Sequence, residues 1–390
     1  MARIWRWVWI GVFAVLVVTL AAGLWFREEL TRLNAVNTLF DGGKIVSNFS
    51  NMDMAFLTAP VPRGAGPVFP LAPGREMSLP EDARAWIEVT SVTGLIVVDR
   101  GAVRYESAYL GTSPEDRRIS WSIAKSFLSA LYGISVARGE ISLDAPLTEY
   151  APRLGGGAYE GVTVRDALTM QSGVSFDEDY LDRSSDINRM GRILALGGTM
   201  DSFAAELTER DRPPGQSWEY VSIDTHVLAM ALRGATGQSL AELMGERLIG
   251  PLGFEAEPYY LTDGQGVAFA LGGLNITLRD YARFALMIAQ EGQLGGVELV
   301  PADWIVESTA PHATTSVGAI RYGYQWWIPW DARPGEVFGR GVYGQYMYID
   351  RTRDIVVVAT AADRGFLEDG RFAAALSALR SIADAAGASR

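Results

Sequence analysis

Strand-like sequence occurs at the two ends of this chain and is scarce between them. The run "GLIVVDRGAVRYESAYLG" (94–111) reads as two strands about a hairpin turn at Asp99-Arg100-Gly101, and beyond residue 320 the stretches "YGYQWWIP", "VYGQYMYID" and "DIVVVATAA" return to strand patterning. Residues 140–300 are mostly helical segments, "TVRDALTM", "SIDTHVLAMALRGATG", "SLAELMGERLIGPLG" and "TLRDYARFALMIAQEG", joined by Gly- and Asp-rich loops. Strands at both ends with a helical middle predict one sheet built from the N- and C-terminal parts and an inserted α-helical subdomain, an α+β fold. A short helix at Glu81–Val89 and a last helix at Arg371–Ala386 place the globular domain at 81–390, and no internal repeat divides it.

Two segments precede that domain. Residues 27–80 read as a connecting segment, whose Pro/Gly-rich part "TAPVPRGAGPVFPLAPG" is expected to be an extended strap on the domain rather than a helix. Before it, an apolar run from Trp7 to Phe26 has about the length of one bilayer-spanning helix. Trp5, Trp7, Trp9 and Trp25 fall near its ends, where indoles prefer the membrane interface. Arg3 and Arg6 lie before the span, so the positive-inside rule puts the bulk of the chain outside the cytoplasm, periplasmic or extracellular. The expectation is a membrane anchor over 1–26; the alternative is a cleaved signal peptide, for which Leu20-Ala21-Ala22-Gly23 is a weak cleavage site.

Composition narrows the chemistry. A net charge of −12 supplies no basic stripe for phosphates and argues against nucleic acid as a partner. Cysteine is absent, which excludes disulfides, thiolate nucleophiles and Cys-ligated zinc, and the two histidines, His226 and His312, offer no paired-His metal spacing. No metal or cofactor is expected. His226 sits in an apolar helical run, as a core histidine would, His312 lies in a polar loop, and no G-x-S-x-G elbow occurs.

What remains is Ser122-Ile123-Ala124-Lys125. Of 34 basic residues only Lys44 and Lys125 are lysines, and Lys125 lies in a helix, Trp121–Ala137, that is apolar nearly all round and therefore buried. Positions three apart share a helix face, so Ser122 and Lys125 can touch. Burial lowers a lysine's pKa, and a neutral amine can take a serine proton, which an arginine cannot. The competing reading is a lysine that merely carries its charge to the surface.

Two further stretches complete a candidate site. Tyr220-Val221-Ser222, in a loop after Pro213-Pro214-Gly215, offers a phenol to relay the proton and a second hydroxyl beside it. Gly339-Arg340-Gly341-Val342-Tyr343-Gly344 matches G-x-G-x-x-G, yet it precedes a strand instead of opening a helix, so a dinucleotide site is rejected. Its glycines let a strand backbone approach a substrate, and one of its N–H groups paired with that of Ser122 would form an oxyanion hole.

Ser122-x-x-Lys125, Tyr220-x-Ser222 and the Gly-rich C-terminal strand, in this order, resemble the serine β-lactamase-related hydrolases, over roughly 80–390. The likeness is to the class C/esterase branch and within it to 6-aminohexanoate-dimer hydrolases, which cleave a linear amide. "SLDAPLTEYAPRL", "VTVRDALTMQSGVSFDEDY" and "LIGPLGF" are similar to the same branch. The resemblance implies a β-lactamase/penicillin-binding-protein-like fold, with an antiparallel sheet flanked by helices. It implies Ser122 as nucleophile, Lys125 as base, Tyr220 as proton relay with Ser222, and the Ser122 and Val342 amides as oxyanion hole. Tyr180 resembles a pocket tyrosine that contacts the leaving group, and Arg340 and Gly341 stand where β-lactamases carry Lys-Thr-Gly, so all three are expected at the substrate and Arg340 is a candidate to supply the strand charge. The missing strand lysine shifts weight from antibiotic hydrolysis to an esterase or amidase acting on a small ester, amide or short peptide. The alternatives are a cell-wall D,D-peptidase or weak β-lactamase and, in another class, a catalytically silent binding domain.

Overall fold

The computed structural model describes residues 2–313, 315–316 and 320–388. Its main sheet has eight strands in the order Arg321–Tyr322, Trp327–Ile328, Glu336–Gly341, Gln345–Asp350, Ile355–Ala361, Val92–Asp99, Ala102–Ala108, Ala72–Pro73. Its N- and C-terminal parts meet near the centre, where Ile355–Ala361 runs antiparallel to Val92–Asp99 with Ile355 opposite Asp99. The hairpin turn falls at Arg100 (φ 49°) and Gly101 (φ 79°), two left-handed residues as a tight two-residue turn requires.

Every residue of Val92–Asp99 is buried because the sheet is covered on both faces. Leu95 and Val97 face the helices Glu81–Val89 and Arg371–Ala388, whereas Ile96 and Val98 join the larger core under Ala124–Ala137 and Leu278–Ala289. A strand with two buried faces needs apolar residues at consecutive positions, which accounts for the unbroken "LIVV".

The middle of the chain departs from expectation. The insertion is helical from Leu147 to Ile249, but Tyr259–Thr262 and Leu274–Ile276 are strands, and Leu278–Ala289 packs on the main sheet. These strands pair with Leu57–Pro60 and Arg118–Ile119 in a second sheet of four. At three or four residues they are too short to display a period of two in sequence.

The connecting segment is also more ordered than its composition suggests. "TAPVPRGAGPVFPLAPG" is extended, edging both sheets through Leu57–Pro60 and Ala72–Pro73. The preceding part is not: Arg27–Asn37 is a helix and Ile45–Asn48 a further turn, in a stretch that holds no proline. Ahead of it Ala2–Trp25 is one helix. Among the described residues, its span Trp5–Trp25 is the one long and apolar enough to cross a membrane, and none of it is buried in the protein.

Candidate active site

Ser122 stands where the second sheet feeds the central helix. Ser120 donates its N–H to Leu274 O at 2.8 Å, and Trp121 then turns through a left-handed conformation, φ 44°. For a bulky residue that conformation costs about 1–3 kcal/mol, strain of the kind that clusters at functional sites. Ser122 sits in a 3-10 turn, Trp121–Ile123, and the α-helix expected from Trp121 begins at Ala124. This first turn leaves backbone donors without intrahelical acceptors.

Lys125 is fully buried one turn on. Its Nζ donates to Leu271 O at 2.7 Å, lies 3.4 Å from Ser122 Oγ, and stands 5.4 Å from the centre of the Tyr220 ring. Burial pulls the ammonium down from 10.5 to about 7, against the opposing pull of Glu178 and Asp224. Lys125 thus does not carry its charge to the surface. It is a buried amine directed at a serine hydroxyl.

Tyr220 precedes the helix Ser222–Thr236, and its ring stacks on Trp327 at 5.1 Å. Burial raises its phenol above the ordinary value and the Glu178 charge adds to this, while the Ser122 and Ser222 hydroxyls and Arg340 pull it down. A phenol so placed holds its proton at neutral pH.

Ser222 is the first residue of that helix, and its partner is Glu178. The Ser222 N–H donates to Glu178 Oε1, Ser222 Oγ donates to Oε2 at 3.2 Å, and Tyr180 OH donates to Oε2 at 2.7 Å. A carboxylate at a helix N-terminus accepts an otherwise orphan donor and is favoured by the helix dipole. Burial still raises the Glu178 pKa, with Lys125 and these hydrogen bonds opposing it. Asp224, one half-turn further, is fully buried, accepts from Tyr159 OH at 2.8 Å, and is pushed up to about 7 by burial.

The C-terminal strand closes the site. A Cβ on Gly341 would lie 2.7 Å from Ser120 O, so only glycine lets the strand end lie against the serine turn. Val342 follows in a 3-10 turn with Tyr343 left-handed (φ 59°). Arg340 packs its guanidinium between two rings, 4.5 Å from the Phe372 ring centre and 5.6 Å from that of Trp327, the ring stacked on Tyr220. Of "YGYQWWIPW", Tyr322, Tyr324 and Trp326 are core, while Trp327 faces Tyr220.

Ser122, Lys125, Tyr220, Ser222, Tyr180, Gly341 and Val342 are thus brought to one place from four parts of the chain. Sequence reading missed Glu178, Asp224 and the Leu271 carbonyl. Glu178 lies two residues before Tyr180 in "DEDY", and a carboxylate flanked by Asp177 and Asp179 gives no pattern that separates it from a solvated one. His226 is buried with Nε2 2.9 Å from Asp201 Oδ1, in the core role expected of it. Among the described residues no group of three acidic or histidine side chains is placed to hold a metal ion.

Residues 89–381 match the family model described as Beta-lactamase. The chain is 29% identical over 291 residues to the 6-aminohexanoate-dimer hydrolase of Paenarthrobacter ureafaciens, covering 71% of this chain and 74% of that protein. It is 32% identical to Esterase EstB of Burkholderia gladioli over 151 residues, 34% of this chain and 36% of that one. A solved structure from Bacillus anthracis, provisionally assigned as a 6-aminohexanoate-dimer hydrolase, superposes with a TM-score of 0.75 at 22% identity, over 88% of this chain and 94% of its own.

Proposed function

The chain belongs to the beta-lactamase family, as a serine hydrolase related to 6-aminohexanoate-dimer hydrolase and esterases, and on that premise we propose that it cleaves an ester or a linear amide through an acyl-enzyme on Ser122. The observation that carries this reading is Lys125. Its amine is buried, lowered to about 7, and shared between Ser122 Oγ and a backbone carbonyl.

The neutral Lys125 amine takes the Ser122 proton as the oxygen attacks the substrate carbonyl. The Ser122 and Val342 amides hold the oxyanion. Tyr220, between Lys125 and the cleft, returns a proton to the departing amine or alcohol, and water then releases the acyl group along the reverse path. Ser222 and Glu178 hold Tyr180 at the leaving-group side. The strand lysine of β-lactamases is absent, and Arg340, the cation on this strand, packs on Phe372 and Trp327. Esters and linear amides are therefore favoured over β-lactams.

The helix Trp5–Trp25 serves as the anchor, with 81–390 outside the cytoplasm. Sequencing the N-terminus of the protein recovered from membranes checks this: an intact Trp5–Trp25 supports an anchor, and a start beyond Ala22 shows cleavage.

A fluorophosphonate probe tests the chemistry. Wild type is expected to label and Ser122→Ala and Lys125→Arg are not. Equal labelling of all three would move the nucleophile elsewhere. Stable trapping of a labelled penicillin would favour a D,D-peptidase instead, and a folded wild type that never labels would favour a silent binding domain.

A further inference from the structure

Four aromatic rings beside Ser122 are in mutual contact, and Tyr343 packs in addition on Phe366 at 4.6 Å. Phe40, Phe49, Trp121 and Tyr343 all contact one another, each pair of ring centres lying between 5.0 Å (Phe40–Tyr343, stacked) and 6.3 Å (Phe40–Phe49, edge to face). Two of the rings belong to the residues that flank the proposed oxyanion amides: Trp121 directly precedes Ser122, and Tyr343 directly follows Val342. These same two residues are left-handed, with φ 44° and 59°. Bulky side chains do not hold that conformation unaided, so something outside the local backbone must hold it. The other two rings come from the segment that joins the apolar N-terminal helix to the domain.

That segment is built to present them. Asn48 Nδ2 donates to both Thr38 O (2.9 Å) and Leu39 O (3.0 Å), closing the loop that carries Phe40. Arg118 Nη1 donates to Val46 O and Ser50 Oγ at 2.6 and 2.8 Å, and Ile119 donates its N–H to Phe49 O at 3.1 Å. The segment is thus fastened to the two residues that lead into Ser120-Trp121-Ser122. Phe49 is wholly buried, but Phe40 is 40% exposed, so Phe40 lies at the surface and contributes little to the core.

We infer that Phe40 and Phe49 are positioning residues for the oxyanion hole: they fix Trp121 and Tyr343, and through them the Ser122 and Val342 amides. The membrane-proximal segment is then part of the catalytic unit and not a passive tether. This rests on the proposed role of those two amides.

The test uses the full chain in detergent micelles, wild type beside Phe40→Ala and Phe40→Leu, with one activated aryl ester and its thionoester. A hole set for oxygen discriminates against sulfur, a larger and weaker acceptor. Phe40→Ala is expected to lower kcat for the oxoester by about 10- to 100-fold with KM little changed, short of the loss from deleting one oxyanion donor outright. It should lower the thionoester rate much less, leave the unfolding midpoint within a few degrees of wild type, and be largely rescued by Phe40→Leu. Equal loss on both substrates, or no loss while wild type turns over, would overturn the inference and leave the serine hydrolase reading intact. A wild type that neither turns over nor labels would overturn both.

Discussion

Replacing Lys125 by methionine should make the protein more stable and inactive, and the gain should depend on pH in a defined direction. The Lys125 amine falls from 10.5 in the unfolded chain to about 7 in the fold, mainly through burial. Between those values the unfolded state binds the proton and the folded state does not, so the wild type gains stability as pH rises across this window. The penalty is fully present below about pH 7 and gone above 10.5. At about 1.4 kcal/mol per pH unit it amounts to about 5 kcal/mol at neutral pH and about 2 kcal/mol at pH 9.

Methionine fills a similar volume without charge but leaves Leu271 O without its lysine donor, at about 1–3 kcal/mol. It also removes the cation facing Glu178 and Asp224. A net gain of about 2 kcal/mol at pH 7 is therefore the working expectation, vanishing or reversing at pH 9. Urea unfolding of both proteins in the same micelles at the two pH values, followed by tryptophan fluorescence, measures it. If the variant is less stable than wild type by the same amount at both pH values, Lys125 is a charged partner of Glu178 at neutral pH and the argument for a neutral base collapses.

Other expectations follow from the same site. The second-order rate of fluorophosphonate labelling should rise with pH through about 7, because the reactive form of Lys125 is the neutral amine; a rate that falls through that range would assign the titration to Asp224. Tyr220→Phe should lower ester turnover by about 10²–10⁴-fold, the scale of one lost proton-transfer group, while leaving the protein folded; unchanged turnover would remove Tyr220 from the relay. Gly341→Ala places a Cβ 2.7 Å from Ser120 O and should cut labelling sharply, since strand or serine turn must move; normal labelling would show that the strand end does not set the site.

The legible part of this protein is the part whose chemistry repeats in a pattern. The β-branched runs at 92–99 and 355–361 announce a sheet buried on both faces, and Ser122 and Lys125 announce each other through helical spacing. Glu178 and Asp224, whose charges act on Lys125, have no such signature; one lies among acidic neighbours and the other in the first turn of an ordinary helix. The short second sheet was hidden for a related reason. Tyr259–Thr262 and Leu274–Ile276 become strands through pairing with Leu57–Pro60 and Arg118–Ile119, and those partners cannot be read from the stretch itself. Phe40 and Phe49 escaped notice because the segment that bears them was judged by the prolines that come after it.

The central pairing of Val92–Asp99 with Ile355–Ala361 carries a consequence for biogenesis. Contacts so distant in sequence form late, because the intervening loop must be closed before they return any stability. A chain emerging N-terminus first holds its serine, its lysine and its first strand long before the strands that complete the pocket exist. During synthesis the serine and lysine are therefore present well before the strands that complete their site.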